Sequence, residues 1–220
     1  MIDLHTHTLF SDGALLPTEL ARRAKAAGYQ AMAFTDHVDS SNLFLVLENV
    51  GRVATQGATY LGLDILLGVE LTHVPPGLIP ELVATARMNG AQLVLAHGET
   101  IVEPVERGTN LQAIEAGVDI LAHPGLITPE EVELAVERGV CLEITTRKGH
   151  SLTNGHVAAM ARRFGAKLVI NNDAHAPEDL VSRDRRQHVA LGAGLTQDEY
   201  LQAEANSWAL VEKGRRKGEG

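Results

Sequence analysis

Histidine and acidic side chains recur in this chain just after short apolar runs that are typical of β-strands. The 220 residues contain ten histidines, and six of them, together with three acidic residues, occupy such positions. These nine residues are His5, His7, Asp12, His37, Glu70, His97, His123, Asp173 and His175. Mixed imidazole and carboxylate ligands suit Zn, Mn or Fe and disfavour Mg, which prefers oxygen. A set of this size can hold more than one metal ion, so the first hypothesis is hydrolysis at a polynuclear metal site.

The pair His5 and His7 is the first element of this pattern. Residues two apart in a strand face the same side, so both imidazoles can reach one ion. Ser11-Asp12-Gly13 follows directly and adds a carboxylate in a tight turn. A single histidine at the end of a strand is more often just hydrogen bonded, but six at matching positions favour metal binding.

Strand-like and helix-like segments alternate along the chain and must position these side chains. Predicted strands are Ile2–Leu4, Ala31–Thr35, Ile65–Glu70, Gln92–Ala96, Asp119–Ala122, Val140–Ile144 and Lys167–Asn171. Predicted helices are Pro17–Ala27, Leu43–Gln56, Ile79–Met88, Glu103–Ala116, Pro129–Arg138 and Asn154–Phe164. This α/β alternation indicates a parallel sheet with right-handed crossovers. Because polar residues follow nearly every strand, a closed TIM-like barrel is favoured over an open doubly wound sheet.

Composition sets limits on the class of protein. Hydrophobic residues make up 45% and charged residues 21% of the chain, as expected for one globular domain, which we place at residues 1–212. The charged, Gly-rich tail 213–220 is expected to be disordered. A net charge of −9 makes nucleic acid an unlikely partner. With no apolar run long enough to span a bilayer and no leader-like start, a cytoplasmic protein is expected; the oligomeric state stays open.

The motifs around the nine residues resemble those of the PHP (polymerase and histidinol phosphatase) family. HTHTLFSDG, TDH, GVE, AHGE, AHPG and NNDAH occur in the family's order along essentially the whole chain. The resemblance implies a distorted (β/α)7 barrel with three divalent metal ions at the carboxyl-terminal rim of its strands. By this resemblance one ion would be held by His5, His7, Glu70 and Asp173. Glu70 would bridge to a second ion on His97 and His123, and Asp12, His37 and His175 would hold the third. Zn, Mn and Fe all remain open as the metal.

A basic cluster follows the sixth predicted strand, in the segment Thr145–His150. Arg147 could bind a substrate phosphate through two parallel hydrogen bonds, with Lys148 and His150 assisting. A surface loop with solvated charges is the alternative for this segment. Glu99 and His73 border the expected pocket, and contact of either with substrate stays open.

The function predicted from these observations is that of a metal-dependent phosphoesterase. A metal-bound hydroxide would attack phosphorus, with Glu70, Asp173 and Arg147 as the catalytic residues. A small phosphomonoester, histidinol phosphate or nucleotide-like, is the favoured substrate. The alternatives are a phosphodiesterase or 3′-exonuclease, a C–N hydrolase of the amidohydrolase kind, and a non-catalytic metal-binding module. The C–N hydrolase is disfavoured because Glu70 already fills the bridging position that a carbamylated lysine would take.

Overall fold

The computed structural model describes residues 1–218 and contains the predicted alternation of strands and helices. The strands are β1 (Ile2–Asp3), β2 (Ala31–Phe34), β3 (His37–Val38), β4 (Asp64–Leu71), β5 (Leu93–His97), β6 (Ile120–Ala122), β7 (Cys141–Thr145) and β8 (Leu168–Asn171). The α-helices are α1 (Pro17–Ala26), α2 (Leu43–Gln56), α3 (Ile79–Met88), α4 (Thr109–Glu115), α5 (Pro129–Arg138), α6 (Asn154–Phe164), α7 (Arg183–Gly192) and α8 (Gln197–Gly218).

The strands form a nearly closed barrel of seven parallel strands, which confirms the predicted fold class. Their order is β1-β2-β4-β5-β6-β7-β8. The short strand β3 continues β2, since His37 pairs with Glu70 in the register that pairs Phe34 with Leu67. The two edges meet where a bridge joins Thr6 to Ala174. The carboxyl ends of all strands therefore surround one space.

The interior of the barrel changes from apolar to polar along the strands. Leu93 and Leu95 of β5 lie in the interior core, and His97 follows two residues later at the rim. Val169 of β8 belongs to the same core. Helix α8 adds Leu210 to this cluster. Because interior side chains alternate along a strand, the last interior positions of several strands place polar groups at one rim.

The fourth predicted helix is shorter than expected. Residues 103–116 were predicted to be helical, but α4 begins at Thr109. Gly108 has a φ of 93°, a left-handed conformation that cannot continue an α-helix. Residues 98–108, which we call the mouth loop, instead cross the carboxyl-terminal rim and bring Glu103 to the pocket.

The tail is helical where disorder was expected. Helix α8 continues to Gly218, and residues 219–220 lie outside the described residues. The Lys213 ammonium lies 2.8 Å from a carboxylate oxygen of Asp119, and Arg215 pairs with Asp64. These ion pairs hold the tail against the amino-terminal ends of β4 and β6. Within residues 1–218, no helix combines the length and the apolar character that a membrane crossing requires.

Candidate metal centre

The nine predicted ligands converge at the carboxyl-terminal rim of the barrel. In the first group, His5 Nε2 lies 3.3 Å from Glu70 Oε1 and 3.7 Å from Asp173 Oδ1. His7 Nε2 lies 3.2 Å from Asp173 Oδ1. Two ligand atoms of a tetrahedral zinc ion with ordinary bond lengths lie about 3.3 Å apart. The ligand atoms of His5, His7 and Glu70 are spaced to share one ion, and those of His5, His123 and Asp173 form a second, overlapping group within 4.8 Å.

A second group gathers around Asp12. Its Oδ1 atom lies 3.5 Å from His37 Nε2 and 3.1 Å from His175 Nε2. The ligand atoms of these three residues and of His7 all lie within 4.8 Å of one another. Asp12 follows the end of β1 by nine residues, yet the turn returns its carboxylate to the rim.

The third group differs from the expected one. Glu70 Oε1 lies 3.8 Å from His123 Nε2. The acid next to His97 is instead Glu103, whose Oε2 atom lies 3.1 Å from His97 Nε2. The ligand atoms of His97, His123 and His150 lie within 4.8 Å of one another. The structure thus brings a third imidazole and another carboxylate to this group.

Buried polar atoms without hydrogen-bond partners test whether metal ions fit the centre. Within the described part of the chain, six such atoms belong to five of the nine residues. They are His5 Nε2, both ring nitrogens of His7, Glu70 Oε1, His123 Nδ1 and Asp173 Oδ1. Leaving each buried polar atom unsatisfied costs about 1–3 kcal/mol. Divalent ions would satisfy one ring nitrogen of each of these histidines and the carboxylate oxygens, so the residues fit a metal centre.

The electrostatics of the centre favour bound cations. Burial alone would raise the pKa of Glu70, but His5 and His37 beside it hold that pKa well below its usual range. Burial lowers the pKa of His7 to about 3 and that of His123 well below its usual value. Burial would also lower the pKa of His5, His37 and His97, but neighbouring carboxylates hold it above its usual value. Since metal ions bind ionised carboxylates and neutral imidazoles, binding at these three rings would release protons.

The buried residue Glu143 of β7 contacts a candidate metal ligand and was missed by the sequence analysis. Its Oε1 atom lies 2.9 Å from His5 Nδ1 and accepts a hydrogen bond of 2.8 Å from Asn171 Nδ2. Its Oε2 atom accepts a bond of 3.1 Å from the backbone N–H of His123. An acceptor on Nδ1 fixes the ring so that Nε2 faces the metal. The signal in the sequence was a carboxylate inside the apolar run Val140–Ile144.

Three residues of the pocket region have positive φ angles although none is glycine. The angles are 51° at His73, 27° at His123 and 53° at Asp173. Such conformations cost about 1–3 kcal/mol each and persist where surrounding contacts hold them. His73 also joins the pocket, with Nε2 3.4 Å from Glu103 Oε2. Backbone strain of this kind has no signal in the sequence.

The predicted substrate-binding residues divide into two groups. Arg147 lines the pocket, with Nε 3.6 Å from Asp173 Oδ2 and Nη1 3.3 Å from Asp179 Oδ2. His150 is buried in the pocket, and its ring stacks on that of His123 at 4.1 Å. Lys148 is exposed and lies outside the side chains that line the cavity.

Glu99 supports the mouth loop from below. Its Oε1 atom accepts hydrogen bonds of 2.9 Å from the backbone N–H of Gly108 and 3.1 Å from that of Asn110. The Glu99 backbone N–H donates in turn to the Asn110 side chain. Glu99 therefore closes the base of the loop, and the carboxylate that enters the pocket is that of Glu103.

A parallel barrel with clustered histidines and carboxylates at its carboxyl-terminal rim defines a metal-centred barrel protein. The family model described as "PHP domain" matches residues 3–122, more than half of the chain. The chain belongs to this family, which confirms the resemblance seen in the motifs.

Two relatives are similar to this chain in sequence, and a solved structure is similar to it in fold. The chain is 49% identical over 199 residues to an uncharacterized protein of Methanocaldococcus jannaschii, covering 90% of this chain and 91% of that one. It is 30% identical over 247 residues to a protein of Thermoanaerobacter sp. (strain X514) named "Probable phosphatase", covering 99% and 97%. A chain in the cryo-EM structure of archaeal ribonuclease P with mature tRNA is similar in fold. That likeness has a TM-score of 0.73 and 16% identity, over 100% of this chain and 94% of that one.

Proposed function

We propose that this protein is a metal-dependent phosphoesterase that hydrolyses a small phosphomonoester. The observation that carries the proposal is the position of Arg147 beside Asp173, at the mouth of a pocket lined by imidazoles and carboxylates. A guanidinium next to a polynuclear metal site is suited to bind phosphoryl oxygens bidentately. Membership of the PHP domain family and the relative named "Probable phosphatase" support this class of enzyme.

The size and charge of the molecule favour a compact substrate. The cavity has a volume of about 210 Å³, below the range of about 300–1,000 Å³ that is usual for drug-sized ligands. The net charge of −9 disfavours a long polyanion such as DNA. Histidinol phosphate and nucleotide-like monoesters therefore remain the substrates to test first.

Three divalent ions, Zn, Mn or Fe, are the proposed cofactors of the nine ligands. Such ions would lower the pKa of a bound water and polarise the phosphoryl oxygens. Glu70 and Asp173 hold the negative charge that binds the ions. Arg147 binds and orients the phosphoryl group and offsets negative charge that develops on its oxygens. Asp179 and the carbonyl oxygen of Asp173 position the guanidinium, since Nη1 lies 3.3 Å from each.

The test compares p-nitrophenyl phosphate with bis(p-nitrophenyl) phosphate after separate reconstitution with Zn, Mn and Fe. We expect faster cleavage of the monoester. Faster cleavage of the diester would favour the phosphodiesterase or 3′-exonuclease alternative. A protein that binds metal but cleaves neither compound would instead support a C–N hydrolase or a non-catalytic module.

The variant Arg147→Ala tests the phosphate-binding role. Loss of hydrogen bonds from a charged group should cost about 1.5–3 kcal/mol, a drop in kcat/KM of about 10- to 100-fold. The metal content should stay unchanged. Arg138→Ala, an exposed arginine at the end of α5, is the matched control. Unchanged kcat/KM in Arg147→Ala would refute the role of this residue.

A further inference from the structure

The mouth loop places a carboxylate against two histidines of the third group. Glu103 Oε2 lies 3.1 Å from His97 Nε2, and Glu103 Oε1 lies 3.4 Å from His150 Nε2. Both distances match the spacing of about 3.3 Å between two ligands of one tetrahedral ion. Glu103 therefore stands at ligand distance from both imidazoles.

His150 is held in an orientation that suits a metal ligand. Its Nδ1 atom lies 2.8 Å from Thr100 Oγ1. An Nδ1–H that donates to this hydroxyl leaves Nε2 free for a metal ion. One ring nitrogen each of His97, His123 and His150 lie within 4.8 Å of one another. Hydrogen bonding of the second ring nitrogen is the usual device that orients a ligating histidine.

The mouth loop is held by hydrogen bonds at its base, whereas the side chain of Glu103 in its middle is partly exposed. Glu99 ties the base to the start of α4 through Gly108 and Asn110. Opposite this base, a Cβ atom at Gly125 would collide with the Glu99 carbonyl oxygen, so the two backbones are in close contact. The Glu103 side chain is 38% exposed, whereas those of His97 and His150 are 3% and 6% exposed. Of these three side chains, Glu103 can leave most easily.

We propose that His150 and Glu103 are ligands of the second metal ion, beside His97 and His123, and that the substrate's phosphoryl group displaces Glu103. With the proposed bridging carboxylate of Glu70, three buried imidazoles and the Glu103 carboxylate would fill the positions around this ion and leave none for substrate unless Glu103 departs. A phosphoryl oxygen is also an anionic donor and competes for the same position. The displacement step rests on the proposed phosphoesterase function, whereas the assignment of the two ligands stands on geometry alone.

Metal content tests the ligand assignment without any substrate. His150→Ala should lower the content measured by mass spectrometry by one ion relative to wild type. His188→Ala, an exposed histidine of α7, is the matched control. Retention of the wild-type content and affinity in His150→Ala would overturn the assignment.

Thr100→Val provides a second test that preserves the size of the side chain and leaves His150 in place. Loss of the orienting hydroxyl should weaken binding of one ion by about 10- to 100-fold, measured by competition with a chromophoric chelator. Unchanged affinity for all ions would contradict the orienting role, and with it the ligand role of His150. This variant decides the question if His150→Ala fails to fold.

Inorganic phosphate tests the displacement of Glu103. Glu103→Gln replaces an anionic competitor with a neutral one, so the metal-loaded variant should bind phosphate with a severalfold lower Kd in calorimetry. Glu106→Gln, an exposed acid of the same loop, should behave as wild type. Equal or weaker phosphate binding by Glu103→Gln would overturn the displacement. Since metal content and phosphate binding require no turnover, failure of these tests is distinguishable from failure of the phosphoesterase proposal.

Discussion

Glu143→Gln probes the buried carboxylate that connects the metal centre to the barrel. Its two oxygens accept three contacts, from His5 Nδ1 at 2.9 Å, Asn171 Nδ2 at 2.8 Å and the His123 backbone N–H at 3.1 Å. A glutamine has one acceptor oxygen and one NH₂ group. If the glutamine oxygen faces His5 and Asn171, the glutamine NH₂ group faces the backbone N–H of His123. Both groups are hydrogen-bond donors, so the N–H of His123 loses its acceptor.

This loss of an acceptor should change both the stability of the protein and its affinity for metal ions. One buried N–H without an acceptor should lower the free energy of unfolding by about 1–3 kcal/mol. For a domain of this length, each kcal/mol lowers Tm by about 2–4 °C. Weaker orientation of His5 should also reduce metal affinity by about 10- to 100-fold. Thermal unfolding in EDTA measures the first effect, and competition with a chromophoric chelator measures the second.

Glu137→Gln, which changes an exposed acid of α5, is the matched control and should alter neither quantity. If Glu143→Gln lowers Tm in EDTA but binds metal with wild-type affinity, the carboxylate supports the fold alone. That result would refute the reasoning that Glu143 orients a metal ligand.

Three further predictions follow from the structure. Glu70→Gln should lower metal content by more than one ion, because Glu70 contacts ligands of two groups; loss of one ion or none, by mass spectrometry, would contradict the bridge. Gly125→Ala should lower Tm by the equivalent of about 1–3 kcal/mol or more, because φ is 65° and the new Cβ would collide with the Glu99 carbonyl oxygen. Burial would raise the pKa of Asp119, but Lys213 and other cations beside it lower that pKa. Asp119→Asn should therefore lower the free energy of unfolding by about 1.5–3 kcal/mol at pH 7. In urea unfolding, the difference in this free energy from wild type should shrink below about pH 4, because the wild-type carboxylate becomes protonated.

Two outcomes would contradict the last two predictions. Gly90→Ala is the control for Gly125→Ala, since Gly90 has a φ of 93° but open space around it. Equal losses of Tm in both variants would show that backbone strain alone explains the effect. For Asp119→Asn, a difference in unfolding free energy that persists at pH 2–3 would show that the ion pairs are not its source.

Much of the fold and of the candidate metal centre could be predicted because both depend on patterns among residues that are close in sequence. Each strand is a short apolar run, and most of the candidate ligands lie at or soon after its end, as His97 does two residues after Leu95. The barrel followed from the number of strands that end in polar residues. Glu143 was missed because it lies in the middle of its strand, whereas the sequence pattern identifies polar residues at the ends of strands.

The sequence by itself determined the alternation of seven strands with six helices, their parallel pairing and the nine candidate ligands, because alternation along a strand is a property of neighbouring residues. Tertiary structure decided which candidate ligands lie together and which further residues join them. Glu103 lies in a segment predicted to be helical. It reaches His97 and His150 because the helix begins only after Gly108 and because Glu99 holds the base of the mouth loop. The helical tail likewise depends on Asp119, which lies 94 residues from its partner Lys213. Contacts between such distant segments arise when the barrel closes, and no local pattern records them.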